Sequence, residues 1–458
     1  MDKKGKCPKG KKMSLKVSVS GVRGIWGDSL DMDTIIKFSH AFAAYVLEKG
    51  GKKVLMGRDG RPTGDVMARL SASILNIMGL DVVDAGMVPT PTILYGVREC
   101  GFDAGIMLSA SHNPLEWNAF KFVKKGGIFT DEDDLVIINK YITSPLKMPL
   151  WDKVGSYFID DFVVDKHLSA VLKAVDVDLI KNSGLTVLLD PVNCSGSSIT
   201  KKLFEKLGIE AYYIFDEPHG HFQRPAEPIP AHLTHLKDII LSKKVDVAFA
   251  QDPDADRLVV ADEKGTVLSE ELTPVLALQA LLMRGERGSI VLNMSTSSAG
   301  ALLNKQYQGK YFRSKVGEAN VVKKVALEKS FYGIEGNGGI IYPAVNAGRD
   351  SLVGIALILE LLAKEKKSLS EIISQLPPVV MKKEKYNFNG DLNKLFDQMK
   401  SIFPNADINV EDGLRLDLED GSWIHLRLSN TEPIIRLIAE SSTEEKVVSL
   451  LNKINTLF

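Results

Sequence analysis

One arrangement recurs three times and limits the folds open to this chain. A short apolar run enters a loop of Gly, Ser, Asn or Asp and passes into a helical pattern: KKVLMGRDGRPTG at 52–64, LTVLLDPVNCSGS at 185–197 and GSIVLNMSTSSAG at 288–300. Each helical pattern leads into a second strand, clearest in MGLDVVDAG and LGIEAYYIF. A third strand follows and ends in a polar loop: FDAGIMLSASHNP, VDVAFAQDPDADR and SFYGIEGNGG. Continuous apolar strands alternating with helices predict mixed, mostly parallel sheets buried on both faces. Open α/β sheets bind ligands beyond the carboxyl ends of their strands. Three such units would offer three chemically different loops, which share one central cleft if the units face each other.

The last ~80 residues break the pattern. After QLPPVV a helix-like DLNKLFDQMKSIF precedes GLRLDLEDGSWIHLRLS, whose EDG suits a hairpin turn. The expected organisation is therefore a disordered basic tail (1–13), three related α/β domains (14–165, 166–265 and 266–378) and a smaller α+β domain (379–458). The tail MDKKGKCPKGKKM lacks the apolar stretch of a signal peptide, and no later run is long enough to span a bilayer. The 57 basic and 58 acidic side chains nearly cancel, which argues against a nucleic-acid or membrane partner. Cys7, Cys100 and Cys194 are isolated, as in a reducing compartment, and the expected location is cytoplasmic.

Four loops carry groups suited to chemistry. In QDPDADR, Asp252, Asp254 and Asp256 alternate, so an extended backbone sets their carboxylates on one side. Crowded carboxylates call for a divalent cation, and oxygen ligands suit Mg²⁺. An EF-hand is excluded because Arg257 stands where that loop needs glycine. In LRLSNTEPIIRL, Arg427, Ser429, Asn430 and Thr431 suit a phosphate monoester, with Arg436 following; SNTEP also reads as a helix cap. GIEGNGG offers Glu335 and Asn337 beside glycines, Gly338 among them, that let backbone approach a ligand; a bare tight turn is the alternative. SASHNP ends an apolar strand in Ser111, His112 and Asn113, with no visible Ser-His-Asp set; it reads either as a turn or as a phosphorylated serine facing the aspartates. Lys121 and Arg23, from the glycine-flanked SGVRGIWG, could supply proton transfer and charge cover there. His219 and His221 have no third ligand patterned nearby and read as a loop.

Taken together and in order, SGVRGIWG, SASHNP, DPDADR, IEGNGG and RLSNTEPIIR resemble the α-D-phosphohexomutases over nearly the whole chain after the tail. The resemblance implies four domains around one cleft. It implies that Ser111 is a phosphoserine, that Asp252, Asp254 and Asp256 bind Mg²⁺ touching the phosphoryl group, and that His112, Asn113, Lys121, Arg23 and Arg257 surround the reaction, with Lys121 as general acid/base. Glu335, Asn337 and Gly338 would hold the sugar, and Arg427, Ser429, Asn430 and Thr431 its non-reacting phosphate. A hexose 1,6-bisphosphate, or its amino-sugar analogue, would be intermediate and activator, and the enzyme a monomer or homodimer.

Many family members carry a GEMSGH-type sugar loop, where this chain has Asn337 for serine and Gly339 for histidine. GIEGNGGIIYP, VGEANV and NAGRDSLVG are instead similar to a branch labelled phosphoglucosamine mutase. Glucosamine 6-phosphate is thus the expected substrate, with phosphomannomutase/phosphoglucomutase activity as the alternative. A non-catalytic sugar-phosphate binder is the rival of a different class, opposed by retention of Ser111, the aspartates and Lys121. A serine phosphatase or sulfatase would need clustered histidine ligands that the eight histidines here do not form.

Overall fold

The computed structural model describes residues 15–18, 21–145, 148–388, 390–428 and 434–457. The first sheet gathers β1 (Lys16–Ser18), β2 (Gly21–Ile25), β3 (Lys53–Arg58), β4 (Asp81–Met87), β5 (Ala104–Leu108), β6 (Trp117–Lys124), β7 (Ile128–Phe129) and β8 (Tyr157–Ile159). Its order is β1-β2-β6-β5-β3-β4-β8, with β7 on β6. The second contains β9 (Thr186–Asp190), β10 (Glu210–Tyr213), β11 (Val247–Gln251) and β12 (Leu258–Asp262), in the order β10-β9-β11-β12. The third repeats that order with β13 (Ser289–Asn293), β14 (Lys310–Ser314), β15 (Tyr332–Glu335) and β16 (Gly339–Ile341).

The three sheets share one strand arrangement. Three strands run parallel, and a fourth returns antiparallel against the third: β6 on β5, β12 on β11 and β16 on β15. The continuous apolar runs explain the parallel part, because every residue of β5 and β11 is buried and both faces are covered. The tail expected at 1–13 lies outside the described residues.

The C-terminal sheet is antiparallel throughout. It orders β17 (Val380–Asn387), β18 (Asp407–Asn409), β19 (Leu414–Asp417), β20 (Trp423–Leu428) and β21 (Ile434–Ser441) as β17-β21-β20-β19-β18. Helices Leu392–Ile402 and Glu444–Ile454 bury Leu395, Met399, Val447 and Leu451 against it. SNTEP, at 429–433, lies outside the described residues, and from Ile434 the chain is a strand. Among the described residues no helix is long and apolar enough to cross a membrane.

The helix Ser351–Glu365 is apolar on all sides, and every residue from Ser351 through Ala363 is buried. Such a helix belongs inside a core, so its free amino end needs a partner within the protein. Asp350 provides it, accepting from the backbone N–H of Leu352 and Val353. Its other oxygen lies 2.7 Å from His167 Nε2 and accepts from Asn346. Burial would raise this carboxyl, but His167 and these hydrogen bonds hold it below the usual range. Asp350→Ala should cost about 2–4 kcal/mol by removing a cap and stranding buried donors. The urea midpoint of unfolding reads this cost, and an unchanged midpoint would contradict it.

Candidate active site

The three loops picked out by their chemistry occupy one structural position. Each joins the third parallel strand of its sheet to the antiparallel return: 109–116 between β5 and β6, 252–257 between β11 and β12, and 336–338 between β15 and β16. Each contains one left-handed residue, Ser111 at φ 49°, Ala255 at φ 49° and Gly338 at φ 84°. Glycine is required at 338, where a Cβ would lie 2.3 Å from the Leu258 carbonyl. Ser111 and Ala255 adopt that conformation at an energetic cost, so their surroundings must impose it.

For Ser111 the imposing group is Arg61. Asp59 accepts from Arg61 Nε at 3.1 Å and from Ser109 Oγ at 2.7 Å. The guanidinium, buried and 5.1 Å from the Phe222 ring centroid, then donates to the carbonyls of Ser111 and Asn113, both at 2.7 Å, Pro114 at 2.5 Å and Trp117 at 2.9 Å. Ser109 Oγ accepts from Ser111 N at 2.8 Å. The loop carrying Ser111 is thus wrapped around one cation.

Ser111 is buried and donates through Oγ to Asp252 Oδ2 at 2.8 Å, while His112 Nδ1 lies 3.5 Å from Ser111 Oγ. Arg23 Nη1 donates to Asn113 Oδ1 at 3.5 Å. Arg257 foremost, then burial, Arg23 and Arg349, push the His112 ring down to about 2, so it is neutral near pH 7. Lys121 returns on β6 opposite Met107 and places Nζ 2.5 Å from Asp254 and 3.6 Å from Asp256. Burial pulls its pKa down, but those two aspartates outweigh burial and hold the ammonium form.

Asp252, Asp254 and Asp256 are fully buried, with one oxygen of each within 4.8 Å of the others. Thr90 donates to Asp254 Oδ2, and Arg257 Nε lies 3.9 Å from both Asp252 and Asp256. Asp254 Oδ1 and Asp256 Oδ1 are buried without a hydrogen-bond partner among the described residues. Burial, then Asp256 and Asp254, push the Asp252 carboxyl well above its usual range. Unpartnered oxygens on clustered carboxylates fit a hard divalent cation.

The third loop meets the second through the Leu258 N–H, which donates to the Gly338 carbonyl at 3.1 Å. Glu335 is buried and accepts from Asn293 at 3.4 Å, Asn337 at 3.4 Å and Arg349 at 2.9 Å. Beyond them a cavity of about 240 Å³ opens between the third and fourth sheets, lined by Glu335, Asn337, Lys383, Lys385, Arg427 and Arg436 among others. Lys385 pairs with Arg436 and Arg436 with Arg427 across three neighbouring strands, so three cations stand in a row on one face. Directly opposed like charges are destabilising unless an anion joins them. Asp412 meets only Arg427 among the three, at 3.0 Å.

The structure therefore brings together Ser111, His112, Asn113, Lys121, Arg23, Arg257 and the three aspartates, and sets Glu335, Asn337 and Arg427 around the adjoining cavity. Ser429, Asn430 and Thr431 lie outside the described residues. His219 and His221 face each other in a loop, ring centroids 5.4 Å apart, and belong to no metal-ligand cluster among the described residues. Sequence reading passed over Asp59, Arg61, Arg349 and the lysines of β17. The available signals were the period-two spacing of Lys383 and Lys385 and the place of Asp59, Arg61 and Arg349 in KKVLMGRDGRPTG and NAGRDSLVG.

Comparison with known proteins gives a consistent picture. Phosphoglucomutase/phosphomannomutase alpha/beta/alpha domains I, II and III match residues 14–147, 165–265 and 270–380, and the C-terminal domain matches 380–457. A phosphoglucomutase/phosphomannomutase of Thermococcus kodakarensis is 31% identical over 432 residues, covering 93% of this chain and 94% of that protein. A phosphoglucosamine/phosphogalactosamine mutase of Sulfurisphaera tokodaii is 30% identical, covering 97% and 99%. The crystal structure of a phosphoglucomutase/phosphomannomutase family protein from Burkholderia thailandensis superposes with a TM-score of 0.82 at 26% identity, covering 95% of each chain.

The role of Arg61 yields a test that needs no substrate. Arg61→Lys loses the fork that reaches four carbonyls, so amide hydrogen exchange across 109–117 should rise about tenfold or more. Exchange unchanged there would show that the loop is held by other means.

Proposed function

This chain belongs to the phosphoglucomutase/phosphomannomutase family and is a phosphohexose mutase; on that premise we propose that it interconverts glucosamine 6-phosphate and glucosamine 1-phosphate through a phosphorylated Ser111. The observation that carries the reading is Ser111 Oγ, buried and 2.8 Å from a carboxylate of the acidic cluster. A phosphoryl group on that oxygen would lie among cations and beside a metal-binding set.

The transfer balances with the groups present. The sugar hydroxyl attacks phosphorus, the bond from phosphorus to Ser111 Oγ breaks, and a bond to the sugar oxygen forms. The proton lost by the hydroxyl equals the one gained by Ser111 Oγ, and Lys121 serves as its shuttle, giving from Nζ to the serine and taking from the sugar. Arg23, Arg257 and neutral His112 orient the phosphoryl oxygens. Asp252, Asp254 and Asp256 would hold Mg²⁺, which when bound neutralises charge on the transferring group. Burial of Ser111 keeps water from the phosphoserine.

The bisphosphorylated sugar then turns end for end and returns its other phosphate to Ser111. Throughout, Glu335, Asn337 and Gly338 hold the sugar. Arg427, Ser429, Asn430 and Thr431 hold the distal phosphate, joined by Arg436 and Lys385 from the same cationic row. Hexose 1,6-bisphosphate, or its amino-sugar analogue, would prime the serine, and we place the reaction in the cytoplasm, where phosphosugars are made and used.

The amino-sugar assignment is supported by similarity to the Sulfurisphaera mutase and by the GIEGNGG loop. Similarity to the Thermococcus phosphoglucomutase/phosphomannomutase favours the second reading, glucose and mannose phosphates. Relative kcat/KM on glucosamine, glucose and mannose 6-phosphates decides between them. Preference for glucosamine 6-phosphate is expected, and preference for mannose or glucose 6-phosphate would overturn that assignment.

Ser111→Ala and Asp254→Asn should each lower turnover by roughly 10³-fold or more, since the phosphoryl carrier or its charge cover is lost. Comparable turnover in either variant would contradict the mechanism. Lys385→Ala should raise KM roughly tenfold with kcat little changed, because the phosphate contact is shared by ground and transition states. A fall in kcat at constant KM would place Lys385 elsewhere.

A further inference from the structure

Arg349 pairs with three buried carboxylates at the site, and the sequence motifs gave it no role. Its guanidinium is buried and donates through Nη2 to Asp256 Oδ2 at 2.5 Å, through Nη1 to Glu335 Oε2 at 2.9 Å and through Nε to Glu318 Oε2 at 3.1 Å. Those carboxylates come from three different segments: the acidic loop of the second sheet, the sugar loop of the third, and the first turn of the helix Glu318–Leu327.

Both ends of the side chain are fixed. Its backbone N–H donates to Glu318 Oε1 at 2.8 Å, and the next residue, Asp350, is bound to the central buried helix as its cap. Room for the stem comes from Gly339, where a Cβ would lie 2.4 Å from Arg349 Cδ. A side chain at 339, such as the histidine of the GEMSGH-type loop, would occupy the volume that Arg349 fills.

We infer that Arg349 is a positioning residue that couples the divalent-cation site to the sugar loop by dividing one guanidinium between Asp256 and Glu335. The inference rests on the metal reading given above. Asp256 offers the guanidinium Oδ2, while its Oδ1 is buried without a hydrogen-bond partner among the described residues. A cation bound at the triad repels the guanidinium and weakens its hold on Asp256. Arg349 then commits to Glu335 and Glu318, which fixes the carboxylate that receives the sugar. Linkage is reciprocal, so whatever changes the Glu335 end must change cation affinity through Arg349.

A double-mutant cycle on Mn²⁺ affinity, read by electron paramagnetic resonance without sugar, tests this directly. With Arg349 present, Glu335→Gln should weaken Mn²⁺ binding about fivefold, because the guanidinium released from Glu335 falls on Asp256. With Arg349→Met, the same Glu335→Gln change should have little further effect. The long-range loss of one negative charge acts alike in both backgrounds and cancels in the cycle. Arg349→Lys, which keeps the cation and reaches one carboxylate at a time, serves where Arg349→Met fails to fold, and it should lower the coupling to near onefold. Equal effects of Glu335→Gln in both backgrounds would overturn the inference while leaving the mutase reading intact. Failure of the wild-type chain to bind Mn²⁺ would overturn the metal reading and this inference with it.

Discussion

Three carboxylates buried within 4.8 Å of one another are the constraint on which the rest of this molecule depends. A fold cannot keep such a group without cations close by, because unpaired buried charge is among the most expensive features a protein can hold. The compensation comes from all three α/β domains. Lys121 arrives on a strand of the first sheet, Arg257 closes the acidic loop of the second, and Arg349 reaches in from beside the central helix of the third. The pairs that neutralise the aspartates are thus the pairs that bring three loops to one place. The same contacts join the domains and build the site.

The repeat gives this arrangement its economy. One hairpin position, at the carboxyl end of the third strand, carries a serine in one domain, aspartates in the next and a glutamate-asparagine pair in the third. Each hairpin has a single left-handed residue. The surrounding supports differ. Ser111 is held by Arg61 through backbone carbonyls, the aspartates by cations, and the sugar loop by the closeness of Gly338 to Leu258. A common backbone position therefore hosts different chemistry because the supports, and not the turn itself, set each geometry.

Much of this was legible in the chain. Apolar runs such as AGIML and VAFAQ announced buried parallel strands, and the alternating aspartates announced a cation site, because both signals are local in sequence. The groups that escaped notice act over long separations. Arg61 looks like one residue of a glycine-proline turn until the loop fifty residues later folds around it. Arg349 looks like the end of a loop before a helix, and its meaning depends on Asp256, Glu318 and Glu335 arriving from elsewhere. Mixed sheets were expected, but which strands return antiparallel, here β6, β12 and β16, was hidden, since an apolar strand reads the same in either direction.

The central claim is that Ser111 carries the phosphoryl group that reaches the sugar. Rapid mixing of the Ser111-phosphorylated enzyme with excess glucosamine 6-phosphate, followed by quenching and mapping of the phosphate, addresses it in a single turnover. The account predicts that phosphate leaves Ser111 as the bisphosphorylated sugar appears in equal amount, at a rate no slower than steady-state turnover. Product forming while Ser111 keeps its phosphate would contradict it.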